Sequence, residues 1–171
     1  MGATWVKIAA TTLGSPTANI TFDVSAVTAY THLMIMLGFQ GTGGGRSDLQ
    51  VTLNSDAVTN YASQRTITYD GTNTLIGYNA NQGSTIAIPD ATTGSIFSYI
   101  RILIPNYQNT THNKSLFLTG GFATTSATNM LSGIAAWRNT NNTSAISSIK
   151  IAATSNLQTG SSAYLYGLHN S

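Results

Sequence analysis

The chain has 171 residues, and 7% of them are charged, compared with about 25% in an ordinary soluble domain. Seven Lys or Arg and five Asp residues carry this charge, and the chain contains neither Glu nor Cys. The absence of Cys excludes disulfides, zinc–thiolate sites and cysteine nucleophiles. Because uncharged polar groups lose their water at a lower cost than ions, we expect much of this surface to lie against other protein.

The net charge is +2, and the basic residues are scattered singly along the sequence. A surface that binds DNA or RNA gathers its cations on one stripe, so we expect no direct nucleic-acid binding. The longest apolar run, Leu33 to Leu37, is far shorter than the ~20 residues that span a bilayer, and the N-terminus lacks the apolar segment of a secretory signal. We therefore expect no membrane contact.

The first predicted strand covers Thr4–Leu13, and simple alternation along it places Ala9 on the same face as Trp5 and Lys7. The break at 14–16 ends this strand, and Asn19–Asp23 alternates again.

The segment His32–Phe39 is apolar on both faces, which is typical of a central sandwich strand that is covered on both sides. The glycine-rich stretch at 41–45 lacks the ending of a phosphate-binding loop, so it is interpreted as a flexible turn before the strand Leu49–Leu53. The next segment, Asp56–Asn60, fits one helical turn with Asp56 as its N-cap.

The segment Tyr61–Tyr69 meets Asp70-Gly71, which is a strong hairpin signal. The clearest strand ends at Ile104, because a ladder does not easily continue through Pro105. The remaining predicted strands are Leu75–Tyr78, Thr85–Ile88, Ile96–Ile104, Ser115–Phe122, Met130–Arg138, Ser147–Ala153 and Ala163–Leu168.

This pattern predicts an all-β fold. Short strands, about 8–11 in number, separated by Gly, Asn, Asp and Ser turns, are typical of a two-sheet antiparallel β-sandwich with little helix, and we favour a jelly-roll-like one. Residues 1–171 are expected to form a single sandwich domain, with residues 1–13 as a possible terminal attachment strand.

The titratable residues do not group into a catalytic or metal-binding motif. Each acid lies beside a turn or strand end, where Asp side chains bind nearby backbone amides, and no two His residues have metal-ligand spacing. The sequence therefore predicts no catalytic, cofactor-binding or metal residue, and no cofactor. The residues considered are Asp23, Asp48, Asp56, Asp70, Asp90, His32, His112 and His169.

Tyr is the commonest aromatic residue, with eight copies. Tyr combines a large apolar ring with one polar tip, so it serves in sheet packing, in protein interfaces and in carbohydrate clefts. We expect packing to be the main role, with sugar binding as an alternative.

Several segments together resemble a recurring type of tailed-bacteriophage virion protein. They are residues 15–22 (SPTANITF) with 30–35 (YTHLMI), residues 48–54 (DLQVTLN) with Asn60-Tyr61, residues 104–111 (IPNYQNTT), and the closing 164–168 (YLYGL). The resemblance covers most of the chain. It implies a jelly-roll module that coats a capsid as a decoration (cement) protein or forms part of a fibre, that assembles as a trimer or another homo-oligomer, and that has no cofactor.

The resemblance and the composition together lead to one functional expectation. The chain is expected to be a non-enzymatic virion protein, made in the host cytoplasm, that binds the major capsid protein and stabilises the capsid surface. A tail-fibre subunit would carry an attachment segment and a shaft before its tip, whereas this chain starts directly in a strand. The alternative is a tail or head fibre domain that binds a receptor glycan.

Overall fold

The computed structural model describes residues 4–42, 49–69, 73–82, 97–123, 128–138 and 144–169. These residues form β-strands joined by turns and bends, and none of them is helical. The strands are β1 Thr4–Thr12, β2 Thr17–Asp23, β3 His32–Phe39, β4 Leu49–Leu53, β5 Tyr61–Tyr69, β6 Asn73–Gln82, β7 Ser98–Ile104, β8 Lys114–Ala123, β9 Thr128–Trp137, β10 Ser148–Leu157 and β11 Ser162–His169.

The strands form two antiparallel sheets. The large sheet has the order β1-β11-β3-β7-β8-β9-β5-β6, and the small sheet has the order β2-β10-β4. The first strand pairs with the last, the second with the tenth and the third with the seventh, so the pairs are nested. Nested pairs that alternate between two sheets arise when one long ribbon rolls up, which is the jelly-roll arrangement. The predicted all-β, jelly-roll-like sandwich is confirmed, with the difference that β8, β9, β5 and β6 enlarge one sheet.

The core lies between the two sheets and is built by strict alternation. In β3, Leu33, Ile35 and Leu37 are at most 2% exposed, and the cross-strand partner of Ile35 in β7 is Ile102, which is fully buried. The small sheet supplies the opposite wall through residues that are also nearly fully buried, namely Ile20, Phe22, Leu49, Val51, Leu53, Ile149 and Ile151. Burial of branched and aromatic side chains at this two-residue period is what selects strands over helices here.

The predicted boundaries agree closely with the structure where the apolar alternation is strong. The strands β3, β4 and β5 have the predicted limits, and the antiparallel pairing of Tyr69 with Asn73 confirms that the chain reverses between β5 and β6. The predicted strand Thr85–Ile88, the turn residues Asp70-Gly71 and positions 43–45 of the glycine-rich turn lie outside the described residues.

Two local predictions were wrong. The register of β1 against β11 shifts between Lys7 and Ala9, so Ala9 faces the core beside Leu165, on the opposite side from Trp5 and Lys7. A β-bulge adds one residue to a strand and so inverts the alternation beyond it. Residues 56–60 form bends with no helical turn, although Asp56 does accept a hydrogen bond from the Val58 amide at 3.2 Å.

The Tyr30 ring is packed against the backbone of β11. A Cβ added at Gly167 would overlap the Tyr30 ring carbons, so this position accommodates only glycine while the ring stays in place. The Tyr30 ring also meets the His169 ring at nearly a right angle, with ring centroids 6.0 Å apart. The segment that precedes β3 is thereby fixed to the last strand.

Candidate interaction surface

The two sheets differ sharply on the sides that face away from the core. On the small sheet, the cross-strand row of Thr21, Lys150 and Thr52 is polar, and along it Thr21 is exposed, Lys150 is half-buried and Thr52 is buried. On the large sheet, the outward residues include exposed aromatic and aliphatic side chains on five adjacent strands. These are Met36 on β3, Tyr99 on β7, Phe117 on β8, Met130 and Ile134 on β9, and Tyr164 on β11.

The pairing register places these residues on one surface, which we call the outer face. One row runs from Tyr164 through Met36 and Arg101 to Thr119, and each residue lies directly opposite the next on the neighbouring strand. Because side chains of directly opposed residues point to the same side of a sheet, this row and the parallel rows two residues away form a continuous surface.

A groove of about 560 Å³ opens on the outer face over β11, β3 and β7. The Tyr99 ring lines the groove together with Gly38 of β3. It lies close to this glycine, since a Cβ added at Gly38 would be 3.0 Å from the ring carbon Cε1. Tyr99 is nevertheless 67% exposed, so the rest of its ring is open to solvent. Met36 and Tyr164 line the same groove, which therefore presents mainly apolar surface with a few hydroxyl groups.

A ridge of apolar side chains lies on the same face, over β8 and β9. Phe117 and Ile134 are directly opposite each other across these strands and are 44% and 41% exposed. Met130, which is 66% exposed, extends the ridge along β9. Apolar side chains of this size contribute much of the surface area that is buried when two proteins associate.

The charges of the outer face are all of one sign among the described residues. Arg101 lies within the face, and Lys7 lies at its β1 edge opposite Tyr166. The two described acids are elsewhere, since Asp23 ends β2 in the small sheet and Asp56 lies between β4 and β5. The face thus combines aromatic rings with a cation and no carboxylate.

The edge of the large sheet is a second candidate surface. Among the described strands, β1 pairs only with β11, so one side of its backbone borders no other described strand. Trp5 and Val6 on this strand are 37% and 41% exposed. The last strand differs, because β11 pairs with β1 on one side and β3 on the other. Of the two terminal strands that the structure describes, β1 therefore lies at a sheet edge and β11 does not.

The two described acids support turns. Asp23 accepts hydrogen bonds from the amide and the hydroxyl of Ser25, and the bond to the hydroxyl, followed by that to the amide, lowers the pKa of its carboxyl group. Partial burial raises the pKa of Asp56, but hydrogen bonds from Asn60, Trp137 and Val58 outweigh this effect and leave its pKa below the ordinary value. Asp48, Asp70 and Asp90 lie outside the described residues.

The basic and imidazole groups near the 104–114 loop also have structural partners. His32 accepts a hydrogen bond from the Asn106 amide at 3.0 Å. The ammonium of Lys114, a residue only 3% exposed, donates to the carbonyl oxygens of Asn109 and His112, and burial lowers its pKa. Within the described ranges, no three His, Asp or Glu side chains are grouped closely enough to hold a metal ion.

The residues that carry the phage resemblance hold loops in place. Asn54, in the left-handed region at φ 51°, accepts hydrogen bonds from the amides of Ser147 and Ser148 at 2.7 and 3.2 Å and donates to the Ala145 carbonyl at 2.8 Å. The buried Tyr107 donates its hydroxyl proton to the carbonyl oxygen of Val27. Asn54 and Tyr107 therefore have structural roles, whereas Tyr164 of the closing motif lies on the outer face.

The interaction residues were only partly visible in the sequence. The apolar run His32–Phe39 was interpreted as a strand covered on both sides, but on its outward side Met36 is 47% exposed. Tyr99 and Tyr164 were considered for packing or sugar binding, and their joint position on the outer face follows only from the strand order. No helix that is long and apolar enough to cross a membrane is present among the described residues.

The comparisons with known proteins identify no family. No family model matches the sequence, and no curated protein matches it. The chain is similar to the CBM2 module of the evolved Dit of Lactobacillus casei BL23 phage J-1 at 11% identity, over 92% of this chain and 76% of that one, with a TM-score of 0.20. Structures of the infectious bursal disease virus Gx strain and of the VP2 subviral particle of that virus are each 16% identical, with TM-scores of 0.16. The matched regions span 99% and 98% of this chain but only 35% of each of those chains. TM-scores as low as these establish no common fold.

Proposed function

We propose that this chain is a non-enzymatic structural protein of a bacteriophage virion, which decorates the capsid as a cement protein. The observation that carries the proposal is the outer face, an apolar surface on five adjacent strands of a chain that is only 7% charged. Monomeric proteins rarely expose a contiguous apolar patch larger than a few hundred Å² unless a partner covers it. The motifs that resemble phage virion proteins supply the class of assembly.

In this proposal the partners are the major capsid protein and further copies of the chain, with a trimer as the expected assembly. A protein that binds across neighbouring capsid subunits stabilises the bound shell by mass action. Contacts made by Thr, Ser and Asn groups depend little on salt, because few ion pairs are available to be screened. The backbone of β1 is the candidate attachment element, since β1 is an edge strand among the described strands and an edge strand can extend the sheet of a neighbour.

Attachment is tested by sedimenting empty capsid shells with the purified protein. The wild-type chain is expected to sediment with the shells, and a variant that lacks residues 1–13 is expected to remain in the supernatant. The variant Val6→Lys, which adds a charge to β1 without shortening it, is expected to bind more weakly, whereas Val58→Lys in the 54–60 connection serves as the matched control. Unchanged binding by the first two variants would reject β1 as the attachment strand.

The alternative function is a fibre domain that binds a receptor glycan. The groove favours it, because Tyr99 and Tyr164 offer exposed rings beside hydroxyl groups and Arg101. A glycan array separates the two functions, since specific binding that is lost in Tyr99→Ala would favour the fibre domain. A cement protein is expected to give no signal on the same array.

A further inference from the structure

The outer face has the sequence pattern of a covered surface although nothing in the chain's described residues covers it. β3 carries Met34 and Met36 on its outward side and Leu33 and Ile35 on its core side, which is the pattern of a strand buried on both faces. The small sheet shows that the chain does use a polar residue where a sheet faces water, as at the exposed Thr21. The contrast indicates that the outer face is buried in the working assembly.

The shape and chemistry of the outer face are self-complementary. It carries a groove lined by Met36, Tyr99 and Tyr164, and it carries a ridge formed by Phe117, Ile134 and Met130. A groove and a ridge on one surface allow the ridge of one copy to enter the groove of another. Arg101 beside exposed Tyr rings adds a second complementary pair, because a guanidinium group binds well over an aromatic ring.

The size of the outer face also suits contact between copies. The five strands that carry the apolar residues and the flanking β1 and β5 are spaced by about 4.8 Å, and five residues of each strand extend about 17 Å, which gives an outline of roughly 570 Å² per copy. Side chains that interdigitate bury more than this flat outline. Two copies therefore approach the roughly 1,200–2,000 Å² of a specific interface, at the lower end of that range.

We propose that the outer face of the large sheet is the surface through which one copy of this chain binds another, with the β8–β9 ridge of one copy in the β11–β3–β7 groove of its neighbour. This inference rests on the self-association included in the proposed function, and it leaves the β1 edge available for the shell.

The test measures self-association of the purified chain by sedimentation equilibrium over a range of concentrations. Ile134→Lys in the ridge and Met36→Lys in the groove each place an ammonium group in the contact, so each is expected to weaken association by more than about tenfold. Val58→Lys makes the same type of change at a residue that is 62% exposed and lies outside the sheets, and it is expected to leave association unchanged. Circular dichroism and thermal unfolding verify that all three variants remain folded.

Cysteine cross-linking tests the ridge-in-groove contact independently of these charges. The natural chain has no Cys, so a Met36→Cys copy mixed with an Ile134→Cys copy can form only disulfides between the introduced residues, and mass spectrometry distinguishes the mixed dimer from the two like dimers. Within one copy these positions are three strand spacings apart, about 14 Å, which is too far for a disulfide. Mixed dimers are expected from this pair, and far fewer are expected when Val58→Cys replaces Met36→Cys.

Three outcomes would overturn the inference: a wild-type chain that is monomeric at every concentration, association that all the Lys variants retain, or glycan binding that the Met36→Lys variant loses while its association is unchanged. Failure of the proposed function is a different result. A chain that associates through this face but does not sediment with shells would retain the interface and lose the capsid role.

Discussion

The hydroxyl group of Tyr61 is bound to the backbone of Leu53. It accepts a hydrogen bond from the Leu53 amide at 2.8 Å and donates one to the Leu53 carbonyl oxygen at 3.3 Å, although the two residues lie in different sheets. Both side chains are fully buried, and this burial raises the pKa of Tyr61 to about 12. The contact therefore joins the edge of β4 to the large sheet where a continuous ladder is absent.

Replacement of Tyr61 by Phe is expected to destabilise the fold by about 1–3 kcal/mol, because a buried amide and a buried carbonyl lose their partner. Denaturant unfolding measures the change. Tyr99→Phe removes the hydroxyl of a residue that is 67% exposed, and it is expected to change stability by less than about 0.5 kcal/mol. Equal losses in the two variants would show that the Leu53 contact contributes little.

The contact between Tyr30 and Gly167 predicts a coupled pair of substitutions. Gly167→Ala forces a methyl group into the Tyr30 ring and is expected to cost about 1–3 kcal/mol. In the Tyr30→Ala background the added methyl group meets no ring. The loss of stability in the double variant is therefore expected to be smaller than the sum of the two single losses by at least about 1 kcal/mol. Gly14→Ala, where nothing lies within 4 Å of the added carbon, is the control and should be nearly neutral. Additive losses would contradict the packing described.

The hydrogen bonds to Asp56 predict a dependence of stability on pH. The pKa of this carboxyl group is lowered in the folded chain. The contribution of Asp56 to folding stability is therefore fully present above its unfolded pKa of about 3.9, and it is lost as the pH falls through the lower pKa of the folded chain. Asp56→Asn is expected to cost about 1 kcal/mol at neutral pH, since the site is partly exposed to solvent. The difference from wild type should disappear at the lowest pH, and a difference that is constant with pH would contradict the assignment.

The buried ammonium of Lys114 predicts a local effect on the loop before β8. Lys114→Met keeps the apolar stem but leaves the carbonyl oxygens of Asn109 and His112 without this donor. Amide hydrogen exchange is expected to become faster at 109–113 and to stay unchanged at β2 and β10. Exchange that rises equally throughout the chain would indicate general destabilisation instead.

The strands could be predicted wherever alternation decided the outcome. The limits of β3, β4 and β5 follow from apolar periodicity, because every second residue enters the core. The bulge in β1 could not be predicted. Ile8 is the extra residue between Lys7 and Ala9, and its position depends on the pairing register against β11 and not on the composition of β1. Asp56 was correctly interpreted as a turn-capping residue, but its bond to Trp137 joins residues 81 positions apart and has no local signal.

The candidate surface was harder to predict than the fold. The apolar character of β3 and the clear strand ending at Ile104 were visible, but their outward residues could be combined into one face only after the order β11-β3-β7-β8-β9 was known. The same limit applied to the termini. The position of β11 between β1 and β3, and the edge position of β1 among the described strands, follow only from the strand order.

The most direct test of the capsid role is the number and position of copies on the virus particle. Immunogold electron microscopy with antibodies against this chain locates it on virus particles purified from cells that produce the chain. We expect label over the whole head, with hundreds of copies on each particle. Label confined to a few copies at the tail, or particles that carry none of the chain, would contradict the proposal.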